Sequence, residues 1–374
     1  MANNIPDRVA VIMAGGSGER FWPLSRHIRP KQFLCLTSKT HTLLEQTIAN
    51  IIPLIPCERI FLATRKHLVE TIRKLITDIP PENILAEPMK RNTAGCLAFV
   101  AAQLVARYGV DGYDITMAVL PADHSIGQPG LFRRVVDTAM TIAEKENALI
   151  TFGIKPDRPE TGYGYLEIPQ EAKLVQCLDE IVPVYPVLRF CEKPDHKTAE
   201  EYIASGSFFW NSGMFFWKLS TFLNELGYAA PEMVKAVEDM TKALVQRDDN
   251  QVTVIFESLD DISIDFALME KAHNVLALKT TFDWDDMGTW DSLDRSFPKD
   301  ENGNVVIGDP VLIDVENSIV YNEPGMESLA VALIGVEGLA VITTADGILV
   351  VPKNRVQDIK KVVKVLKERN SKQL

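Results

Sequence analysis

Gly15, Gly16 and Gly18, with Arg20 close behind, follow directly on an apolar run over residues 9–14. A short apolar run of this kind reads as a buried parallel strand. Glycines at its end let the backbone approach a ligand and turn N–H groups toward an anion. Arg20 adds a fork of charged donors suited to phosphate oxygens. Residues Ala14, Gly15, Gly16, Ser17, Gly18, Glu19 and Arg20 therefore form a candidate nucleotide-phosphate cradle, although a plain strand-to-helix turn would use the same glycines. The cradle lacks the Gly-Lys-Ser/Thr of a Walker A loop, and Phe21 stands where the third glycine of a dinucleotide fingerprint would fall. Just downstream, Arg26, Arg29 and Lys31 crowd a proline-containing loop. In a chain of formal net charge −12, that basic cluster offers the positive field a triphosphate needs.

Acidic residues appear at two further strand ends. Asp123, in Leu-Pro-Ala-Asp-His, follows an apolar strand, where an aspartate either binds a metal or caps the next helix. The segment 282–290, Phe-Asp-Trp-Asp-Asp-Met-Gly-Thr-Trp, offers Asp283, Asp285 and Asp286. Magnesium prefers a few carboxylates plus substrate phosphate oxygens, which two aspartates from distant loops would satisfy. Other polar groups interrupt apolar surroundings. Glu192 and Lys193 end a strand, and Gly162 and Gly164 flank Tyr163 in a loop open to a sugar ring. Asn211 sits in Trp-Asn-Ser-Gly-Met, where a hydroxyl-rich ligand would satisfy it, and a hairpin turn with Gly213 reads nearly as well. Glu87 precedes Asn92 and Thr93, either of which could cap the long helix that follows. Ser263 and Asp265 open another predicted helix, and the histidines, His124 included, lack metal-ligand spacing.

The elements that must hold these residues alternate. Residues 9–14, 59–64, 83–86 and 116–120 read as strands, and 43–52, 67–76 and 92–108 as helices. That rhythm predicts an α/β fold of Rossmann-like type, with a mostly parallel sheet whose ligands lie beyond the carboxyl ends of its strands. Strands are expected at 151–154, 162–168 and 187–191, and helices at 231–245 and 264–272. The polar stretch 298–303 divides a first domain, 1–298, from a second, 299–374. The second reads as short strands at 305–307, 311–315, 318–321, 330–334, 340–343 and 348–351, closed by a basic helix over about 354–370, forming a small β-solenoid or sandwich.

Composition bounds the rest. The 374 residues are 46% hydrophobic, enough for one large domain and a smaller one. The acidic balance argues against non-specific nucleic-acid binding, and five scattered cysteines fit reduced thiols in a cytoplasmic protein. No apolar run approaches membrane-spanning length, and no signal-peptide pattern opens the chain, so no membrane partner is expected.

In order, these motifs resemble the signature of the sugar-1-phosphate nucleotidyltransferases, and most closely their mannose-1-phosphate guanylyltransferase branch. The resemblance spans residues 9–290. It implies that GTP and mannose 1-phosphate become GDP-mannose and pyrophosphate with Mg2+. It implies nucleotide contacts from the cradle, Glu87, Asn92, Thr93, Pro121 and Ala122, with Glu87–Ala94 reading the guanine. Tyr163, Gly164, Glu192 and Asn211 would take the sugar, Lys193 its phosphate, and Asp123 and Asp286 the metal, while Arg20 and Lys31 would stabilise the triphosphate. Asp285 stands at a family position that is usually not acidic and competes for the metal role, and Gly95 replaces the usual proline. The resemblance also implies a left-handed β-helix at the C-terminus that often helps form homodimers. Longer relatives add an isomerase domain, which this chain is too short to contain, so a single activity is expected. The rival readings are a nucleotidyltransferase for another sugar and a regulatory sugar-nucleotide binder without catalysis.

Overall fold

The computed structural model describes residues 7–16, 18–177, 180–325 and 329–374. The chain folds as two compact units interleaved in sequence. The first comprises Met1–Gly15, Ile48–Pro121 and Gly127–Phe282; the second comprises Gly16–Thr47, Ala122–Ile126 and Asp283–Leu374. These units do not follow the expected division at 298/299: the second takes its long segment from Asp283 onward and also includes two earlier segments.

The first unit is built on a mixed sheet. An interior strand, Arg8–Met13, pairs in parallel with Ile60–Arg65 on one side and Thr116–Pro121 on the other. Ile84–Glu87 extends the parallel set beyond Ile60–Arg65. The strand Phe208–Lys218 then runs antiparallel to both Thr116–Pro121 and Leu149–Ile154, and Val275–Thr280 lies parallel to the latter. Residues 9–12 have no accessible surface, which is why they read as an unbroken apolar run rather than an alternating one. Against this sheet the helices Asn92–Tyr108 and Pro231–Gln246 bury Leu97, Val100, Met233 and Met240.

Three expectations need correction here. The aromatic run at 208–217 contains no hairpin turn: it is one eleven-residue strand whose register shifts between Asn211 and Phe215. That bulge takes residues 212–214 out of the register and absorbs the positive φ of Gly213, while Asn211 stays paired with Gly153. The segment expected as a helix at 264–272 is a single π-helical turn, Asp265–Met269. Finally, the stretch Asn92–Asp114 is apolar and long enough to span a membrane by length and composition. Its apolar side chains instead pack into the core of the first unit, Ala94 through Ala102 and Leu104 being buried.

In the second unit Val305–Ile307, Ile319–Asn322 and Leu339–Thr343 stack in parallel, with Val305 opposite Ile319 and Ile319 opposite Ala340. Val311–Glu316 and Ala332–Glu337 form a second parallel ladder. Parallel stacking of successive coils is the geometry of a β-helix rather than a sandwich of hairpins. Asn304 ties the first coil together: its amide donates to Asp300 Oδ2 and Val315 O and accepts from Ser318 N–H. The closing helix, Ile359–Glu368, follows a 3-10 turn over Lys353–Asp358 and buries Ile359 and Val363 in a cluster with Phe21, Trp22, Met287 and Trp290.

Candidate active site

Within the second unit a cavity of about 330 Å³ is lined by Gly18, Glu19, Arg20, Lys31, Asp123, His124, Asp286, Gly288 and Lys360. Gly18 has φ +57°, a left-handed conformation that lets the chain enter the 3-10 turn Glu19–Phe21. A Cβ at Gly18 would lie 2.3 Å from Lys31 Cβ and 2.7 Å from Lys31 N, so the cradle packs directly on the lysine segment. Pro30 starts the 3-10 turn Lys31–Phe33, all three residues of which are buried. The side chain of Lys31 reaches Asp123 Oδ2 at 2.7 Å and donates to the Asp286 carbonyl oxygen at 2.7 Å.

A two-stranded ribbon gathers the acids. Ser125–Ile126 pairs antiparallel with Trp284–Asp285, which sets Asp123 and Asp286 on the same cavity although 163 positions separate them (286 − 123 = 163). The Trp284 indole donates to His124 Nδ1 at 3.2 Å. Because an indole N–H can only donate, that nitrogen is an acceptor and the ring is neutral, with its proton on Nε2. Burial pushes the His124 imidazole below its ordinary value, with Asp123 pulling in the opposite direction. Burial is the largest influence on the Asp123 carboxyl and pushes it up, but the Lys31 ammonium, His124 and hydrogen bonding together outweigh burial and hold the acid below its usual range. Asp286 Oδ1 accepts from Gly288 N–H at 2.9 Å, and a Cβ at Gly288 would crowd Asp286 Oδ2 at 2.8 Å. Asp285, the competing acid, is fully engaged, with Oδ1 accepting from Met287 N–H at 2.7 Å and Oδ2 paired to Arg295 at 2.6 Å.

The basic loop divides. Lys31 lines the cavity, but Arg26 pairs with Asp346 at 2.5 Å and Arg29 with Glu323 at 3.0 Å. The expectation that all three supply the phosphate field is thus corrected, because acidic turns of the C-terminal coils take two of them. Arg20 lines the cavity and carries a buried Nε with no hydrogen-bond partner among the described residues. Glu19 pairs with Lys367 at 2.6 Å. Ser17 lies outside the described residues. Lys360 was not legible as a cavity residue, since nothing local in a basic amphipathic helix marks one lysine among several.

The remaining expected residues lie in the first unit, Ala122 excepted. Ala14 donates its N–H to Ala63 O at 2.7 Å and accepts from Thr64 Oγ1, so its amide belongs to the sheet. Gly15 approaches Glu87, whose carboxyl is buried, and burial raises its pKa despite a hydrogen bond with Cys96. Asn92 takes φ +55° at the helix start, and Thr93 Oγ1 accepts from Ile264 N–H at 2.8 Å. Gly95 is accommodated by packing, as a Cβ there would meet Arg91 Cβ at 2.5 Å. Pro121 ends its strand, and Ala122, in the second unit, is buried.

Tyr163, Gly164, Glu192, Lys193 and Asn211 come together. Gly164 pairs with Glu192 across antiparallel strands, and a Cβ at Gly164 would lie 2.6 Å from Glu192 Oε2 and 3.5 Å from Asn211 Cβ. Glu192 is ion-paired with Lys193, whose backbone N–H donates to Tyr163 O at 3.2 Å. The Asn211 amide is oriented at both ends, with Oδ1 accepting from Thr151 Oγ1 at 3.0 Å and Nδ2 donating to Asp265 Oδ1 at 3.2 Å. Asp265 thus joins this group as well as opening the π-turn. Burial, reinforced by Glu192 and opposed by Lys193, lifts its pKa to about 6. A cluster of two acids, one lysine and one fixed carboxamide around a glycine can bind vicinal hydroxyls and a phosphate.

A mixed α/β sheet and a glycine-lined cavity carrying Arg20, Lys31, Asp123 and Asp286 fit the class of nucleotide-dependent transferases. The chain belongs to the nucleotidyl transferase family, whose model matches residues 9–303. A second model, the MannoseP isomerase/GMP-like beta-helix domain, matches residues 308–366. More particularly, the chain is 37% identical over 367 residues to a mannose-1-phosphate guanylyltransferase of Klebsiella pneumoniae, covering 96% of this chain and 74% of that protein. It is 39% identical over 364 residues to the Escherichia coli K12 mannose-1-phosphate guanylyltransferase, covering 96% and 73%. Among solved structures, a Thermus thermophilus protein described as mannose-1-phosphate geranyltransferase superposes with a TM-score of 0.83 at 35% identity, covering 97% of this chain and all of that one.

Proposed function

We propose that this protein transfers the guanylyl group of GTP to mannose 1-phosphate, forming GDP-mannose and releasing pyrophosphate. The observation that carries the reading is the cavity in which Lys31 is pinned between Asp123 and Asp286 beside the unpartnered Arg20 Nε. The names of the relatives, 37% and 39% identical across the chain, supply the base and the sugar.

An oxygen of the sugar phosphate attacks the α-phosphorus in line, the new P–O bond forms as the bond to pyrophosphate breaks, and the electron pair leaves with pyrophosphate. The attacking oxygen is anionic near neutral pH, so no side chain need remove a proton. Catalysis then rests on alignment and charge. Arg20 and Lys31 hold the triphosphate and the departing pyrophosphate, and Lys193 holds the incoming phosphate. Glu192 and the oriented Asn211 take sugar hydroxyls, and Glu87 reads the base. Nucleotidyl transferases generally use a divalent cation, and we assign Mg2+. The carboxylates of Asp123 and Asp286 line the cavity and suit it as hard oxygen donors. When bound, Mg2+ neutralises phosphate charge and templates the phosphate oxygens. The same reading makes the protein a cytoplasmic homodimer.

The test is pyrophosphate release with Mg2+, offering GTP, ATP, UTP and dTTP against mannose 1-phosphate and glucose 1-phosphate. Turnover confined to GTP with mannose 1-phosphate supports the assignment. Preference for another pair overturns the substrates while keeping the reaction, and nucleotide binding without turnover on any pair favours a regulatory binder.

A further inference from the structure

The closing helix Ile359–Glu368 has a consequence beyond the C-terminal coils. Lys360, its second residue, lines the same cavity as Gly18, Arg20, Lys31, Asp123 and Asp286. Three separate attachments hold the helix there. Ile359 and Val363 are buried with Phe21 and Trp22, which flank the cradle turn. Lys367 pairs with Glu19 at 2.6 Å, and the Trp22 indole donates to Gln373 O at 2.9 Å. The helix therefore grips the segment that carries Arg20 from both ends of its own length.

Charge favours a role in binding anions. Glu19 lines the cavity and would repel a triphosphate, but Lys367 of this helix neutralises it. Lys31 is paired with Asp123. The helix thus neutralises one cavity anion and brings the Lys360 ammonium to the lining, which suits a polyphosphate. Building on the function proposed above, we infer that Lys360 is a further catalytic residue, which contacts the outer phosphates of the nucleoside triphosphate and the departing pyrophosphate. The C-terminal region would then complete the nucleotide site rather than merely cap the fold. Lys364, exposed on the same helix and not lining the cavity, supplies the control.

The experiment titrates GTP and GMP into the full-length protein with Mg2+ by calorimetry, for the wild type, Lys360→Met and Lys364→Met, and measures steady-state kinetics on the same samples. Lys360→Met should weaken GTP at least about tenfold and leave GMP within about twofold, because only GTP reaches the outer phosphates. KM for mannose 1-phosphate and the urea midpoint should stay at wild-type values, Lys360→Arg should recover most of the loss, and Lys364→Met should bind GTP normally. Lys360→Met binding GTP as the wild type does, or losing GMP equally, overturns the inference. Lys360-dependent GTP binding in a wild type that cannot turn over GTP with mannose 1-phosphate would overturn the proposed reaction and still support this contact.

Discussion

Replacing Gly18 by alanine should be far more damaging than the same change two residues earlier. Gly18 sits at φ +57°, and its added methyl would fall 2.3 Å from Lys31 Cβ and 2.7 Å from the Lys31 backbone nitrogen. The left-handed conformation alone costs a non-glycine residue about 1–2 kcal/mol. Relieving the overlap requires the buried Lys31 segment to move, and overpacking of this kind costs about 1–3 kcal/mol. The sum, about 2–5 kcal/mol, corresponds to a fall of about 3–6 °C in Tm for a chain of 374 residues. Lys31 Nζ would also leave its positions 2.7 Å from Asp123 and from the Asp286 carbonyl, lowering kcat by about a hundredfold if the shift approaches an ångström. Gly16 is the control: a methyl added there would meet nothing within 4 Å and its φ is unexceptional, so Gly16→Ala should change stability by less than about 0.5 kcal/mol. Urea unfolding and pyrophosphate release on both variants decide the matter. Gly18→Ala with the wild-type midpoint and turnover would refute the packing of the cradle on Lys31.

Other consequences follow from single groups. Asp265 is raised to about 6 in the folded protein, first by burial, above the 3.8 of the unfolded chain. Its stabilising contribution is therefore complete below the lower value and is lost as pH rises through the higher one. Relative to Asp265→Asn, the wild type should gain about 1.4 kcal/mol of stability on going from about pH 8 to about pH 5, and urea midpoints with parallel pH dependence would contradict this. Asn304→Ala removes hydrogen bonds to Asp300, Val315 and Ser318 at a buried position, leaving backbone groups without partners. Denaturation should show a loss of about 2–4 kcal/mol. Chelation of divalent cations should abolish turnover and added Mg2+ restore it, with Asp286→Asn requiring more Mg2+ for half-maximal rate; full activity in excess chelator would remove the metal assignment.

Much of this was legible because it is local. The apolar run before Gly15 reads as a buried parallel strand and is one, and the helix Asn92–Tyr108 shows its bounds in composition. Arg20 stood out behind the glycine-rich turn, Lys31 in the basic loop and Asp123 and Asp286 after strands, and the structure brings all four to one cavity. What the residues concealed depends on distant partners. Arg26 and Arg29 look like phosphate ligands until Asp346 and Glu323 are folded against them. Asn211 looks like a turn residue because Ser212 and Gly213 follow it, whereas a bulge inside a continuous strand needs the same permissive glycine. Asp265 reads as a cap until the strand bearing Asn211 arrives, and Lys360 as a solvated lysine until its helix docks beside the cradle.

The central claim is direct transfer to a sugar phosphate, driven by alignment and charge with no enzyme-bound nucleotide. Exchange of radiolabelled pyrophosphate into GTP tests it in one measurement, run with and without mannose 1-phosphate. The account predicts no exchange with GTP alone and rapid exchange once mannose 1-phosphate is added. Exchange in the absence of sugar phosphate would reveal a guanylyl-enzyme and contradict the mechanism, and no exchange under either condition would contradict the reaction itself.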